Sequence, residues 1–305
     1  MSRLVQQLVN GTVLGATIGL IALGYTMVYG IIQLINFAHG EIFMIGSYAG
    51  LACYTYLLPD AVTRHAWLTL PLVMLAAAAA ASLVAVLAER LAYRPLRNAP
   101  RLAPLITAIG VSIALQEAVR LFYPGGKNTL SFPGIISRGS FQVGGVTIAW
   151  TAVFTVVVAV VSMVALDLFV TGTRLGKAMR ATSQDPQTAQ LMGIDTNKVI
   201  VVAFALGGAL AGVAGVIQGV RFIQLDFHIG FIAGIKAFTA AVLGGIGNIR
   251  GAMLGGLVIG LVEALATEYV PSGGQWKDVW AFVVLILVLT VRPEGLLGEQ
   301  VAVRA

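Results

Sequence analysis

Five polar residues interrupt stretches of the chain that are otherwise apolar. They are Asn36, His39, Glu41, Lys236 and Glu263. Placing such groups in lipid is costly, so they usually face protein or a water-filled cavity and mark a path for solutes or ions. We therefore treat these five residues as candidates for a translocation path. A metal site at the first three is not expected, because His39 and Glu41 do not share a helical face.

Each of these groups also has a simpler explanation. Asn36, His39 and Glu41 stand at the start of an apolar segment, where they could lie at the membrane interface and cap a helix. Lys236 could extend its ammonium group to the interface from a shallow position. However, the glycine cluster GGIGNIRG follows Lys236 and indicates a broken or re-entrant helix that lines an aqueous cavity. The sequence leaves these alternatives open.

Motifs for ATP hydrolysis or other catalysis are missing from the sequence. The nearest fragments of a G-x-x-x-x-G-K-[ST] loop, at Gly126-Lys127 and Gly176-Lys177, lack the required Ser or Thr. H-E-x-x-H, G-x-S-x-G and Cys/His clusters with metal-ligand spacing do not occur either. Cys53 is the only cysteine, and we expect it to be a buried thiol. We predict a protein that is not an enzyme and binds no metal or cofactor of its own.

The polar stretch Thr173–Val199 lies between two runs that are long enough to cross a bilayer. Apolar residues repeat in it at helical spacing on two faces, one formed by Leu175, Ala178 and Met179 and the other by Ala189, Met192 and Gly193. Asp185 and Pro186 predict the start of the second helix, and Gly193 predicts its end. Two short amphipathic helices under a bundle form a docking surface, and a solvated connecting loop is the alternative.

Composition places the chain among polytopic membrane proteins. Of its 305 residues, 58% are hydrophobic and 10% are charged, whereas soluble proteins carry about 25% charged residues. Helices satisfy their own backbone groups in lipid. We predict an all-α fold, a polytopic inner-membrane helical bundle in a single domain, residues 1–305, that includes the loop 173–199. The net charge of +6 comes from basic residues at helix ends and does not indicate nucleic-acid binding.

About nine hydrophobic segments are expected, some of them re-entrant or broken. They fall near residues 8–30, 31–58, 67–88, 102–122, 148–168, 199–219, 230–247, 252–270 and 278–291. Basic loops mark the cytoplasmic side, and their residues are Arg90, Arg94, Arg97 and Arg101 in one loop and Arg174, Lys177, Arg180 and Lys198 in another. This count puts the N-terminus outside and the C-terminus in the cytoplasm. The Gly/Ser/Pro-rich stretch 123–145 is then an external loop or a re-entrant turn.

Small residues recur every fourth position in several of these segments. This spacing is typical of helices that pack closely on a neighbour in a membrane. The glycines that we predict to mediate such packing are Gly11, Gly15, Gly19, Gly208, Gly212, Gly251 and Gly255.

The loop 171–198 resembles the docking loop of ABC importer permeases, whose motif is Glu-Ala-Ala, three residues and then Gly. Gln187, Thr188 and Ala189 stand at the same spacing from Gly193, with Gln in place of Glu, and the family's downstream Pro is missing. Three longer stretches, 22–48, 173–195 and 238–263, are similar to the LivH family of branched-chain amino-acid transport permeases. The resemblance covers about residues 5–297.

The resemblance implies a multi-pass permease subunit of an ATP-driven importer in the bacterial plasma (inner) membrane. It implies pairing with a second related permease as a heterodimer, and two cytoplasmic ATPase subunits that carry ATP and Mg. An external or periplasmic binding protein would deliver leucine, isoleucine, valine or a similar small amino acid. The residues implied in ATPase docking are Arg174, Lys177, Arg180, Asp185, Gln187, Thr188, Ala189 and Gly193. The basic ones could also meet lipid phosphates.

Three other functions are kept as alternatives. A sibling importer would have the same architecture and carry an amide, urea or a sugar. An ion-coupled secondary transporter would use Lys236, Glu263 and Glu41 as a proton or ion relay and would need no ATPase. A membrane enzyme would need a nucleophile and a base brought together in the bundle, and the sequence does not single out such a pair.

Overall fold

A computed structural model describes residues 2–34, 36–97, 99–100, 102–136 and 139–298 of the chain. Arg101, which the sequence places in a basic loop, lies outside the described residues, as does the segment 299–305 of the predicted single domain. The described chain is mainly helical, with two small sheets in the connections.

Twelve α-helices and four short strands occur in the described ranges. The helices are α1 (Ser2–Ile32), α2 (His39–Ala52), α3 (Asp60–Thr63), α4 (Ala66–Ala88), α5 (Leu102–Phe122), α6 (Trp150–Gly172), α7 (Arg174–Gln184), α8 (Pro186–Leu191), α9 (Thr196–Phe222), α10 (Ile229–Gly244), α11 (Ile249–Tyr269) and α12 (Lys277–Val291). The strands are β1 (Leu130–Ser131), β2 (Ser140–Val143), β3 (Val146–Ala149) and β4 (Gln224–Leu225). π-helical turns extend α2 over Cys53–Leu57 and α4 over Glu89–Tyr93, and a 3₁₀ turn follows at Arg94–Leu96.

The predicted helical bundle is confirmed, and all nine hydrophobic segments contain helix. Six helices are long and apolar enough to cross a membrane, namely α1, α4 with its extension, α5, α6, α9 and α11. The remaining three, α2, α10 and α12, have 14, 16 and 15 residues, whereas a full crossing needs about 20. α10 is about 24 Å long at 1.5 Å per residue, which is shorter than the hydrocarbon core of about 30 Å.

Glycines allow the helices of this bundle to approach one another closely. A Cβ atom added to Gly15 would lie 2.6 Å from the Cα of Leu257 on α11, which is too close for any larger residue without movement. The other glycines with predicted packing roles have similar surroundings: Gly11 and Gly19 also face α11, Gly208 and Gly212 face α4, and Gly251 and Gly255 face α10.

The two ends of the bundle differ in their connections. At one end the first turns of α1 meet the β2–β3 hairpin, where Gln6 exchanges hydrogen bonds of 3.0 and 2.8 Å with the backbone of Thr147. α6 starts directly after β3 and runs for 23 residues to α7, a distance of about 35 Å. We call these the hairpin end and the α7–α8 end. The N-terminus and the loop 173–199 therefore lie at opposite ends.

The stretch 123–145, predicted to be an external loop or a re-entrant turn, contains the strands β1 and β2. β1 pairs with β4, and β2 pairs with β3, both antiparallel. In the second pair, Gly144 and Gly145 have φ values of +58° and +82°. Positive φ at both central residues is what a type I′ hairpin turn requires, and Gly-Gly is one of its preferred sequences.

Candidate functional site

Side-chain caps fix the starts of α7 and α8. Thr173 Oγ1 accepts a hydrogen bond from the backbone N–H of Gly176 at 3.0 Å. Asp185 Oδ1 accepts from the N–H groups of Gln187 and Thr188 at 2.9 and 3.1 Å, and the Thr188 hydroxyl donates to Oδ2. The bonds from the side chain and backbone of Thr188 hold the pKa of Asp185 below its usual value. α8 therefore starts where the sequence predicts.

Gly193 ends the helix pair in a left-handed conformation. Its φ is +83°, its N–H donates to Gln190 O at 2.9 Å, and the N–H of Ile194 donates to Ala189 O at 3.0 Å. This pair of bonds is the Schellman motif, which favours glycine because other residues are strained there.

The exposed surface of α7 and α8 has a small apolar patch surrounded by polar residues. Leu191 and Met192 are 87% and 78% exposed, whereas Ala189 is 4% exposed. The predicted common face of Ala189, Met192 and Gly193 is therefore wrong, because Ala189 is buried and Met192 lies just after α8. The other predicted docking residues are exposed: Arg174, Lys177, Arg180, Asp185, Gln187, Thr188 and Gly193.

The chain turns back into the bundle between α1 and α2. His39, the first residue of α2, packs its ring edge-on against Tyr25 at 4.6 Å between ring centroids. Tyr25 lies seven residues before the end of α1, about 10 Å along the helix axis. α2 therefore starts at depth. No side chain among the described residues caps it, and Asn36, His39 and Glu41 are all buried, so the interfacial-cap alternative is wrong.

Glu41 has one partner and one free oxygen. The residue is 1% exposed, and its Oε1 accepts a hydrogen bond from the Ser112 hydroxyl at 3.3 Å. Oε2 has no hydrogen-bond partner among the described residues and lies against Gly230, in the first turn of α10. The short helices α2 and α10 thus meet with their N-terminal turns around this carboxylate.

Asn36 and the basic turn after α4 belong to a different set of contacts. Asn36 Oδ1 accepts a hydrogen bond of 2.6 Å from Tyr93, in the π-helical turn. In the same turn Glu89 is paired with Arg97, and Arg97 also donates to Asn197 at 2.6 Å. These bonds connect the α1–α2 connection to the end of α4 and the start of α9.

Lys236 and Glu263 are buried and form an ion cluster with the partly exposed Asp278. Its Nζ lies 2.9 Å from both oxygens of Glu263 and 2.5 Å from Oδ1 of Asp278. The cluster joins α10, α11 and α12. The ammonium group of Lys236 is therefore paired with carboxylates of two neighbouring helices.

A groove of about 730 Å³ lies between α5 and α10. Its apolar walls are formed by Phe37, Ile109, Ile113, Phe231, Ile232 and Ile235. Its polar groups in the described part of the chain are Ser112, Gln116 and His228, and Gln116 Nε2 lies 2.6 Å from His228 Nδ1. Ser112 connects this groove to Glu41, whereas the Lys236 cluster does not contribute to its walls.

Comparison with known proteins identifies the class to which this bundle belongs. The family model for the branched-chain amino acid transport system permease component matches residues 7–289. The chain is 48% identical over 300 residues to the high-affinity branched-chain amino acid transport system permease protein BraD of Pseudomonas aeruginosa, covering 96% of this chain and 95% of the relative. The chain belongs to this permease family.

Two further similarities were found. The permease is 45% identical over 299 residues to the permease protein LivH of Escherichia coli, with 96% and 95% of the two chains covered. Among solved structures, PsaBC from Streptococcus pneumoniae in complex with Fab has a TM-score of 0.48 and 13% identity over 96% of this chain and 93% of that chain.

Family membership resolves the functional alternatives at the level of class. A permease component of an ABC importer is a transport subunit and not an enzyme, so the enzyme and the ion-coupled transporter are set aside. The permease is also a multi-pass membrane protein, since six of its helices are long and apolar enough to span.

The structure separates the candidate residues of the permease and adds others. His39 and Glu41 lie at the joined starts of α2 and α10, whereas Lys236 and Glu263 lie in the ion cluster. Sequence reasoning missed Ser112, Tyr93 and Asp278 as their partners. In the sequence, only Asp278 stood out, because it lies at the start of a helix. The contacts of Ser112 and Tyr93 join residues that are far apart in the chain.

Proposed function

We propose that this chain is the membrane-spanning permease subunit of an ATP-driven importer for leucine, isoleucine and valine. The observation that carries the proposal is the capped helix pair α7–α8, which projects Leu191 and Met192 from one end of a bundle in this permease family. A bundle without a nucleotide-binding motif needs an external motor, and this helix pair is the surface that such a motor can move.

The proposed partners follow from this surface. Two cytoplasmic ATPase subunits bind ATP and Mg, and one of them seats the α7–α8 pair, while this chain itself binds no cofactor. Leu191 and Met192 would enter an apolar pocket of the ATPase, and Arg174, Lys177 and Arg180 would face acidic groups at its rim. Residues 173–199 thus act as a coupling loop within a single permease domain.

The solute path would lie between this chain and a second, related permease. An external binding protein delivers the amino acid to the hairpin end. Within the membrane, the region around His39 and Glu41 contacts the amino acid as it passes. The N-terminus is then outside and the C-terminus cytoplasmic, which agrees with the basic residues at the α7–α8 end.

Reconstitution of the complete importer tests this proposal. Proteoliposomes that contain both permeases and both ATPases should accumulate leucine only with ATP and the binding protein, and an uncoupler should not affect the rate. Uptake that persists without the ATPases, or labelling of Lys177 from the outer face, would contradict the proposal.

A substitution at the tip of α8 tests the docking surface directly. Leu191→Ser should weaken co-purification of the ATPases and reduce leucine uptake about tenfold, because an exposed apolar anchor is removed from an interface. Leu91→Ser is the matched control, since Leu91 is 76% exposed but lies in the π-helical turn after α4. Equal effects of the two substitutions would exclude a specific role for α8.

A further inference from the structure

The groove between α5 and α10 combines a broad apolar wall with polar groups on one helix. Ile109 and Ile113 of α5 and Phe231 and Ile232 of α10 are about half exposed, so the groove presents branched and aromatic hydrocarbon to whatever enters. Its volume of about 730 Å³ lies within the range of small-molecule sites, which are mostly apolar with a few placed polar groups. One small solute molecule therefore fits here.

A buried carboxyl group, that of Glu41, lies directly behind this wall. The Ser112 hydroxyl donates a hydrogen bond to Glu41 Oε1. The lone pairs of the Ser112 oxygen are therefore free to accept a hydrogen bond from a group in the groove. Glu41 is buried and its Oε2 lacks a hydrogen-bond partner in the described part of the chain. The described lining of the groove contains no Lys or Arg. A cationic group such as an ammonium would therefore be favoured beside Ser112.

Groups that favour an anion lie one helical turn away. Gln116 follows Ser112 by four residues on α5, so their side chains are about 5–6 Å apart at Cβ. Gln116 contacts His228, the residue that precedes α10. With Gln116 Nε2 as the donor to Nδ1, the other ring nitrogen of His228 carries a proton and can donate to a carboxylate.

From this arrangement we infer that the α5–α10 groove binds the solute during translocation and takes a zwitterionic amino acid with a branched aliphatic side chain. The ammonium group lies at Ser112 with Glu41 behind it, and the carboxylate lies at Gln116 and His228. The side chain packs on Ile109, Ile113 and Phe231. This inference rests on the proposed function and assigns part of the selectivity to this permease chain.

Accessibility of the groove provides the first test. In the reconstituted importer, the I113C variant should react with a membrane-impermeant maleimide in at least one state of the ATPase cycle, and leucine together with its binding protein should slow the reaction several-fold. Cys53 is the only native cysteine and is buried, so the labelled α5 peptide is identified by mass. I286C is the control, because Ile286 is 64% exposed on α12 and outside the groove.

Solute preference provides the second test. Ile113→Ala should lower the ratio of leucine to alanine uptake about tenfold or more, because it removes apolar contact with the larger side chain, and a single methylene in a hydrophobic pocket is worth about tenfold or more in discrimination. Ile286→Ala should leave the ratio unchanged. Stimulation of ATPase activity by the loaded binding protein should persist in Ile286→Ala.

The outcomes distinguish a failure of the inference about the groove from a failure of the proposed function. If the wild-type complex imports leucine but I113C is never labelled, the groove is covered by lipid or by the second permease, and the inference is overturned. Protection by leucine that is equal at positions 113 and 286, or an unchanged uptake ratio in Ile113→Ala, overturns it as well. If the wild-type complex itself shows no ATP-dependent uptake of leucine, the proposed function fails first.

Discussion

Two buried clusters of charge in the bundle differ in how completely their atoms are paired. In the first, Lys236 Nζ lies 2.9 Å from both oxygens of Glu263 and also contacts Asp278, so that three helices are linked. In the second, Glu41 receives one bond of 3.3 Å from Ser112, and its other oxygen has no hydrogen-bond partner in the described residues.

This difference indicates different roles. A buried pair contributes mainly when it stays intact, since removal of one partner leaves an uncompensated charge. A buried oxygen without a partner needs an explanation outside the static fold, such as a ligand or water that completes it. We therefore expect the Lys236 cluster to hold α10, α11 and α12 together, and Glu41 to act on the solute.

The largest effect is expected from breaking the paired cluster. Lys236→Ala leaves two acidic side chains without their cation and should destabilise the protein by about 3–5 kcal/mol. Thermal unfolding of the purified complex in detergent, together with its abundance in the membrane, measures this loss.

A double substitution distinguishes a loss of stability caused by an unpaired buried charge from a direct loss of transport. Lys236→Met with Glu263→Gln removes both charges and should recover most of the stability, because Asp278 is partly exposed and stays hydrated. Lys198→Ala, which removes a surface pair with Asp195, should have no measurable effect. A stable Lys236→Ala variant that fails only in uptake would reverse the assignment and place Lys236 in the path.

The opposite result is expected at the unpaired carboxylate. Glu41→Gln keeps the shape and the bond to Ser112 but removes the charge, so leucine uptake should fall about tenfold or more while the unfolding temperature stays near that of the wild type. Glu117→Gln on the exposed part of α5 is the control, since among the described residues Glu117 pairs only with Arg120. Normal uptake by Glu41→Gln would remove Glu41 from solute handling.

The elements that the sequence predicted are those set by local pattern. Apolar runs fixed the helices, and Asp185 and Gly193 fixed both ends of α8, because caps depend on residues within one turn. The Gly144-Gly145 turn was also a local signal, but the Gly/Ser/Pro-rich composition of 123–145 favoured an external loop or a re-entrant turn.

The partners of the buried polar groups could not be predicted in the same way. Ser112 lies 71 residues from Glu41, and Tyr93 lies 57 residues from Asn36. Such contacts depend on how helices pack, and nearly every face in this chain is apolar, so hydrophobic periodicity does not distinguish a lipid-facing side from a protein-facing one. The groove between α5 and α10 was not recognised for the same reason.

The smallest effect is expected at Asn36, which the sequence grouped with Glu41 and the structure connects to Tyr93. Tyr93→Phe leaves Asn36 Oδ1 without its donor and should cost about 1–3 kcal/mol of stability, while uptake per folded complex stays unchanged. Tyr269→Phe is the control, because Tyr269 is half exposed at the end of α11. If Tyr93→Phe instead lowers uptake at unchanged stability, Asn36 belongs with Glu41 on the solute path, and the division between paired and unpaired groups fails at this residue.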